Sequence, residues 1–340
     1  MAASISLLIT VAIFLAWMPM LSVAEYPSEL YWKQKLGNDT VMPKIIKDAI
    51  TGSEKSPKNV LKNMINKGFK ISEELESSIR KGASILEYFV EYTLTDQQKE
   101  SILKFNQESN LPYKNALMQL NLTIDPTKYS VYFLENDLKK PGKILRLNFM
   151  KVENDAKFIP IQVDEKIPFT STKLPQILAI FSVRPNTIEA EIMKDTINAC
   201  EKKALSNEMK FCATTLEGMV DYVDFHLGNR NVRTFEGYVE KNIQNVHKLV
   251  NAKKIESNAS MVCHKLGYPY AVFYCHNLEN TSLYEVSLVD SKGTKMEAVG
   301  VCHMDTSSWN PLHVSFLMLK VKPGSPVCHF LDERTIAYVS

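Results

Sequence analysis

The sequence predicts an α+β fold, helical segments first and a strand-rich, disulfide-stapled C-terminal region after. Three observations predict it. Apolar residues recur at helical spacing in several stretches before Gly228. β-rich, alternating runs dominate after it, and the cysteines gather toward the end of the chain. Six cysteines and seven histidines occur in 340 residues. Four of each fall together in one order, as Cys263-His264, Cys275-His276, Cys302-His303 and Cys328-His329, with gaps of 10, 25 and 24 residues. Rare residues placed side by side four times over point to disulfides, a metal site, or both.

The chain opens with an apolar, uncharged run from Ile5 to Leu21, followed by Ser22-Val23-Ala24. Small residues at the positions a signal peptidase reads mark residues 1–24 as a signal peptide. The run is short for a membrane span of roughly 20 residues; an uncleaved anchor is the competing reading. No other stretch is long and apolar enough to cross a bilayer, so no stable membrane span is expected after cleavage. Entry into the secretory pathway means folding under oxidising conditions. Four N-x-S/T triplets, at Asn38, Asn121, Asn258 and Asn280, are expected glycan acceptors on that route. An apolar content of 45% can bury a substantial core, and a net charge of +2 gives no field to attract nucleic acid.

Residues 25–128 read as a polar, partly helical and loosely packed leader. Leu75, Ile79, Ala83, Leu86 and Phe89 predict a helix over 73–92, and residues 96–108 predict another with Thr95 as its cap. From Tyr129 the pattern tightens, setting a domain over 129–340. Residues 131–134 predict a strand, 140–143 a turn, and 144–152 a strand with one buried face. Helices follow over 174–181 and 187–204, the second with Thr187 as N-cap and Glu189 and Glu191 in its first turn. A third, over 215–227, ends at Gly228, which suits a left-handed cap. Strands are expected over 271–274, 284–289, 314–321 and 335–339, with Asp290-Ser-Lys-Gly as a hairpin turn.

Three of the four Cys-His pairs follow valine and one follows tyrosine, residues that favour strands. Neighbouring side chains on a strand point to opposite faces, so each cysteine and its histidine would look in different directions. Sulfurs could then meet on one side as cystines while imidazoles converge on the other around an ion. Imidazole suits copper, zinc, iron and nickel, with affinity highest for divalent copper; copper is the first choice and zinc the second. The competing reading leaves the four histidines packed or exposed beside structural cystines. Cys200 and Cys212 complete an even count and could bridge the end of one helix to the next segment; six cysteines allow 15 connectivities, and spacing does not choose among them. His313 could be a further ligand or a satisfied structural residue, with the second favoured. Asp305 and Thr306 are expected to cap a turn. His226 and His247 have no partner pattern. The chain has no G-x-S-x-G nucleophile elbow, phosphate loop or dinucleotide fingerprint.

The array CH-x10-CH-x25-CH-x24-CH resembles the signature of the plant BURP domain. Phe211-Cys-Ala-Thr-Thr-Leu-Glu-Gly-Met-Val-Asp-Tyr, the run from His264 to His276, Cys302-His-Met-Asp-Thr-Ser-Ser-Trp-Asn-Pro and the run from Val321 to Leu331 are similar to its other segments. The likeness covers about Tyr129 to Val339, and the leader, with Tyr31-Trp-Lys and Met42-Pro-Lys-Ile-Ile-Lys-Asp, resembles the unknown-seed-protein-like branch. Two positions depart from the family pattern: Tyr338 stands where tryptophan is usual, and Lys139-Lys140 where histidine is frequent. The resemblance implies His264, His276, His303 and His329 as copper ligands. It implies a secreted glycoprotein of the cell wall or storage vacuole, non-enzymatic and linked to seed development or stress. Alternatives within the family are a copper-dependent peptide cyclase, autocatalytic or in trans, that joins Tyr or Trp side chains, and a cell-wall partner of a pectin-degrading enzyme. A cyclase acting on itself needs a core peptide, and none is evident. Oligomeric state is left open.

Overall fold

The computed structural model describes residues 27–50, 62–63, 65–66, 69–70, 132–146, 155–206, 208–228, 232–237, 246–278, 280–309, 311 and 313–340. Among these residues eleven strands form two antiparallel sheets. The first contains β1 (Tyr132–Phe133), β10 (Val327–Phe330), β9 (Lys295–His303), β8 (Thr281–Asp290), β5 (Val246–Lys254) and β2 (Ile144–Arg146), in that spatial order. The second contains β3 (Glu208–Ala213), β7 (Val272–Leu278), β6 (Ser260–Leu266), β11 (Thr335–Val339) and β4 (Arg233–Glu236).

Strict alternation places the core. On β6, Met261 and Cys263 point to an outer layer and Val262 to the gap between the sheets. On β11, Ile336 and Tyr338 point outward, and Ala337 and Val339 point inward. The inner layer is completed from the first sheet by Leu283, Val299 and Val301. Two inner faces meeting in this way bury a continuous apolar layer between sheets.

Helices cover the second sheet. These are α1 (Pro27–Leu36), α2 (Lys44–Ile50), the single turn α3 (Ile161–Asp164), α4 (Leu174–Ile180), α5 (Ile188–Glu201) and α6 (Leu216–Leu227). Thr187 caps α5 by accepting from Ala190 N, and Thr215 caps α6 by accepting from Gly218 N. Gly228 ends α6 at φ 58°, the left-handed conformation that glycine adopts without Cβ strain. Ile177 of α4, Phe181 just after it, and Met193 and Ile197 of α5 pack on Tyr268, Tyr270 and Val272. Met219, Val220 and Val223 of α6 back Cys263 and Cys275.

Three expectations change. Residues 27–50 are not loosely packed. Trp32 and Leu36 lie one helical turn apart, and with Ile46 and Ala49 they enter the outer core against Tyr338. Trp32 is 1% exposed and donates its indole N–H to Thr40 O at 3.1 Å. Six buried apolar side chains, Met42 and Ile50 among them, suffice where the segment as a whole is polar. Second, residues 314–319 form a helix, α7 (Val314–Leu319), where a strand was expected. His313 caps its start, Lys320 ends it in a left-handed conformation, and Phe316 fills a local cluster with Tyr132 and Val327. A short apolar run does not by itself distinguish the two structures. Third, β3, β4 and β5 were not anticipated, although His247 and Leu249 alternate with exposed Lys248 and Val250 along β5.

The strands expected over 131–134 and 144–152 are described at Tyr132–Phe133 and Ile144–Arg146; residues 147–152 lie outside the described residues. So do residues 1–24, the two expected leader helices and Asn121. Asn38, Asn258 and Asn280 are exposed. No helix of the described residues is long and apolar enough to cross a membrane.

Candidate metal centre

All six cysteines are paired: Cys200 with Cys212, Cys263 with Cys275, and Cys302 with Cys328. The first bridge ties the end of α5 to β3. The other two join directly opposed residues of neighbouring strands, with Cα–Cα distances of 3.9 and 4.0 Å. β6 and β7 thus form one cross-strand Cys–His ladder in the second sheet, and β9 and β10 form another in the first.

The pleat then places the histidines. In the first ladder His264 is opposite Tyr274 and His276 opposite Val262, so the two imidazoles are diagonal neighbours on the face away from the sulfur bridge. The second ladder repeats this, with His303 opposite Val327 and His329 opposite Val301. Diagonal neighbours on one face are within reach of long side chains. His264 Nε2 lies 3.3 Å from His276 Nε2, and His303 Nε2 lies 3.3 Å from His329 Nε2. His276 and His303, one from each ladder, both line a small cleft with Met261, Asn277 and Thr281. Among the described residues no three Cys, His, Asp or Glu side chains form a single metal-holding group; the four imidazoles stand as two pairs.

Each ring is oriented through Nδ1. His276 Nδ1 donates to Glu208 Oε1 at 3.0 Å. Glu208 also accepts from the Tyr274 hydroxyl at 2.8 Å and from Leu205 N at 3.0 Å. Burial pushes this carboxyl up, but the hydrogen bonds from His276 and Leu205 outweigh it and hold it at about 2. His264 Nδ1 lies 3.2 Å from Thr335 Oγ1, whose proton is committed to Asp332 Oδ1 at 2.6 Å, so the imidazole is the donor. His329 Nδ1 donates to Phe330 O at 3.3 Å, and His303 Nδ1 lies 3.4 Å from Thr281 Oγ1. A neutral ring with its proton on Nδ1 presents a lone pair at Nε2.

Each pair offers two imidazole nitrogens, the donor type of transition-metal sites, with no third ligand beside them among the described residues. Burial, then the neighbouring His276, holds His264 well below the ordinary imidazole range. Burial, then His329 and the rings of the other ladder, does the same for His303. Neutral imidazoles are the ligating form. At 3.3 Å each Nε2–Nε2 contact is an imidazole–imidazole hydrogen bond or, with both protons on Nδ1, two lone pairs open to a cation. Two nitrogens bound to one ion at about 2.0–2.1 Å and tetrahedral angles stand roughly 3.3 Å apart. That separation is what both pairs show.

His313 lies outside this set. Its Nδ1 is 2.7 Å from Ser315 Oγ and accepts from Ser315 N as the cap of α7. Trp309 stands between, its ring 5.1 Å from that of His303 and 4.7 Å from that of His313. Lys139 and Lys140 are exposed and pair with Glu135 and Asp137, away from the imidazoles. Tyr338, where the family has tryptophan, is fully buried 6.0 Å from Trp32. Asp305 accepts from Ser307 N in the expected turn. Glu208, Asp332, Thr335 and Thr281 were not singled out from sequence, because nothing in their spacing connects them to the Cys-His array; only strand pairing does.

Residues 131–340 match the BURP domain family. The chain is 41% identical over 236 residues to the BURP domain protein RD22 of Arabidopsis thaliana, covering 67% of this chain and 60% of that protein. It is 40% identical over 233 residues to the BURP domain-containing protein 3 of Oryza sativa subsp. japonica, covering 66% of this chain and 54% of that protein. To the BURP domain protein USPL1 of Arabidopsis thaliana it is 38% identical over 233 residues, 64% of this chain and 81% of that protein. The chain belongs to the BURP-domain family, and its match spans little more than half the length of the first two relatives.

Proposed function

We propose that this BURP-domain protein is a secreted plant glycoprotein of the cell wall or storage vacuole. In it, His264, His276, His303 and His329 hold a transition-metal centre, copper before zinc. The observation that carries the reading is the double Nε2–Nε2 approach at 3.3 Å, with rings oriented by Nδ1 partners. Copper is preferred because the donor set is imidazole alone, the thiols being consumed in cystines, and imidazole sites follow the order that favours divalent copper. Its biological setting, by family, is seed development or stress response, without catalysis.

A second reading is oxidative cyclisation of a peptide, and two features favour it. His276 and His303, both buried, line one small cleft, and an indole lies against His303. Bound copper would supply electron transfer to dioxygen. The chain's own part would be to fix the imidazoles at a cleft that would have to open to admit a Tyr- or Trp-bearing peptide, whether from its own sequence or from another chain.

Calorimetric titration of the disulfide-intact protein with Cu(II) tests the site. At least one equivalent is expected to bind, and the variant with all four histidines changed to alanine is expected to lose it. Unchanged uptake by that variant would remove the site. Incubation with copper and oxygen, then mass spectrometry of digested protein and added peptides, separates the two readings. Loss of a hydrogen pair from a Tyr- or Trp-containing peptide supports cyclisation, and copper bound without that loss supports the non-catalytic role.

A further inference from the structure

The two imidazole pairs have different supports. In the first, His276 leans on a carboxylate directly, through Glu208, and His264 reaches one by a relay, through Thr335 to Asp332. In the second, His303 meets the Thr281 hydroxyl and His329 donates to the Phe330 carbonyl. Glu208 is well placed to act on its neighbour. Its side chain is 5% exposed, it faces His276 from β3 across the β3–β7 pairing, and a tyrosine hydroxyl and a backbone N–H fix its remaining lone pairs. Asp332 shares its charge with Arg334, which donates to it from Nε at 3.0 Å and from a terminal nitrogen at 2.6 Å. The stronger anionic support therefore falls on His276.

A carboxylate accepting the Nδ1 proton fixes the tautomer, orients the ring and raises the basicity of Nε2; removing such a partner typically weakens metal binding 10–100-fold. A negative charge in a water-poor site also attracts the cation directly. We propose that Glu208 is a positioning residue that makes His264 and His276 the tight half of the metal centre, which fills first. His303 and His329, which meet the Thr281 hydroxyl and the Phe330 carbonyl, form the weak half, from which the ion or its replaceable ligands exchange. The inference rests on the metal-binding reading above.

The test is a substoichiometric Cu(II) titration of the disulfide-intact wild-type protein. Paramagnetic broadening of the four imidazole resonances is followed by NMR, with Cu(II) and Zn(II) affinities measured alongside. The His264 and His276 resonances are expected to broaden before those of His303 and His329. Glu208→Gln is expected to weaken binding by 10–100-fold and to erase that order. Glu208→Asp should restore part of both, and Thr281→Val should change affinity by less than about twofold. Simultaneous or reversed broadening in the wild type overturns the inference and leaves the metal site standing. So does a Glu208→Gln affinity within twofold of wild type. Absence of any broadening or uptake by the wild type overturns the metal reading and the inference with it. The wild-type order needs no variant, so the test survives a Glu208 substitution that fails to fold.

Discussion

The ladder on β6 and β7 and the ladder on β9 and β10 share one construction: opposed cysteines bridged across antiparallel strands, and diagonal histidines on the reverse face. Their surroundings differ. Sulfurs of the first are sealed beneath α1, α2 and α6 by Trp32, Leu36, Met219 and Val223. Sulfurs of the second lie among Phe133, Leu138 and Phe330, next to a short 3-10 turn over Glu135–Lys139. Its imidazoles adjoin Trp309 and, beyond it, His313, while those of the first adjoin carboxylates. A repeated covalent frame thus fixes where donor atoms go, and the neighbouring strands and helices decide what each pair is able to do.

The largest effect that would separate the ladders is Trp32→Ala. The indole belongs to the first ladder's backing alone, and its loss should cost about 3–5 kcal/mol in denaturant unfolding. A cost below about 1 kcal/mol would mean that residues 27–50 merely lie against the domain. Next are the bridges. Replacing both cysteines by serine should cost about 2–4 kcal/mol in either ladder. The Cys302–Cys328 pair spans 26 residues against 12 for Cys263–Cys275, and loop closure alone makes its loss the greater by about 0.7 kcal/mol. The reverse order would show that helical backing outweighs loop length.

Acid should act on both ladders, and beside the second through His313 as well. Burial, then the neighbouring His329, lowers His313 to about 4, so the unfolded chain takes up a proton near pH 6.5 that the folded chain refuses. Stability is therefore fully present above about pH 6.5 and falls as pH drops toward 4. His313 should contribute a loss on the order of 2 kcal/mol, discounted for partial exposure. His264 and His303 shift in the same direction. Unfolding curves of the metal-free protein between pH 7 and 4 read the loss, and His313→Gln should flatten them. Smallest of all is Tyr338→Phe, which removes only a 3.8 Å hydroxyl contact to Met219 Sδ and should cost under about 1 kcal/mol.

The sequence made the Cys-His-bearing half of the molecule legible because period-two geometry is rigid. Once Cys263 and His264 are adjacent on a strand, their opposite facing is forced, and Val-Cys-His was enough to suggest the strand. The caps at Thr187 and Gly228 were readable for the same local reason, whereas Thr215, read as the first residue of its helix, is the cap. What strand pairing alone creates was not readable. Glu208 meets His276 only because β3 lies beside β7, and Asp332 meets His264 only through the turn before β11. The run over 314–321 reads as a strand, but its apolar pattern also suits the short helix it forms over 314–319, with His313 at its cap. Trp32 belongs to the core through a single helical turn in a polar stretch, too brief for periodicity to reveal.

X-ray absorption at the metal edge, on copper-loaded protein whose three disulfides are intact, tests the division of labour between sulfur and nitrogen most directly. The expected spectrum shows imidazole nitrogen at about 2.0 Å and no sulfur in the inner shell. Sulfur at roughly 2.3 Å, with free thiols titrating in the same sample, would contradict it and place the cysteines among the ligands.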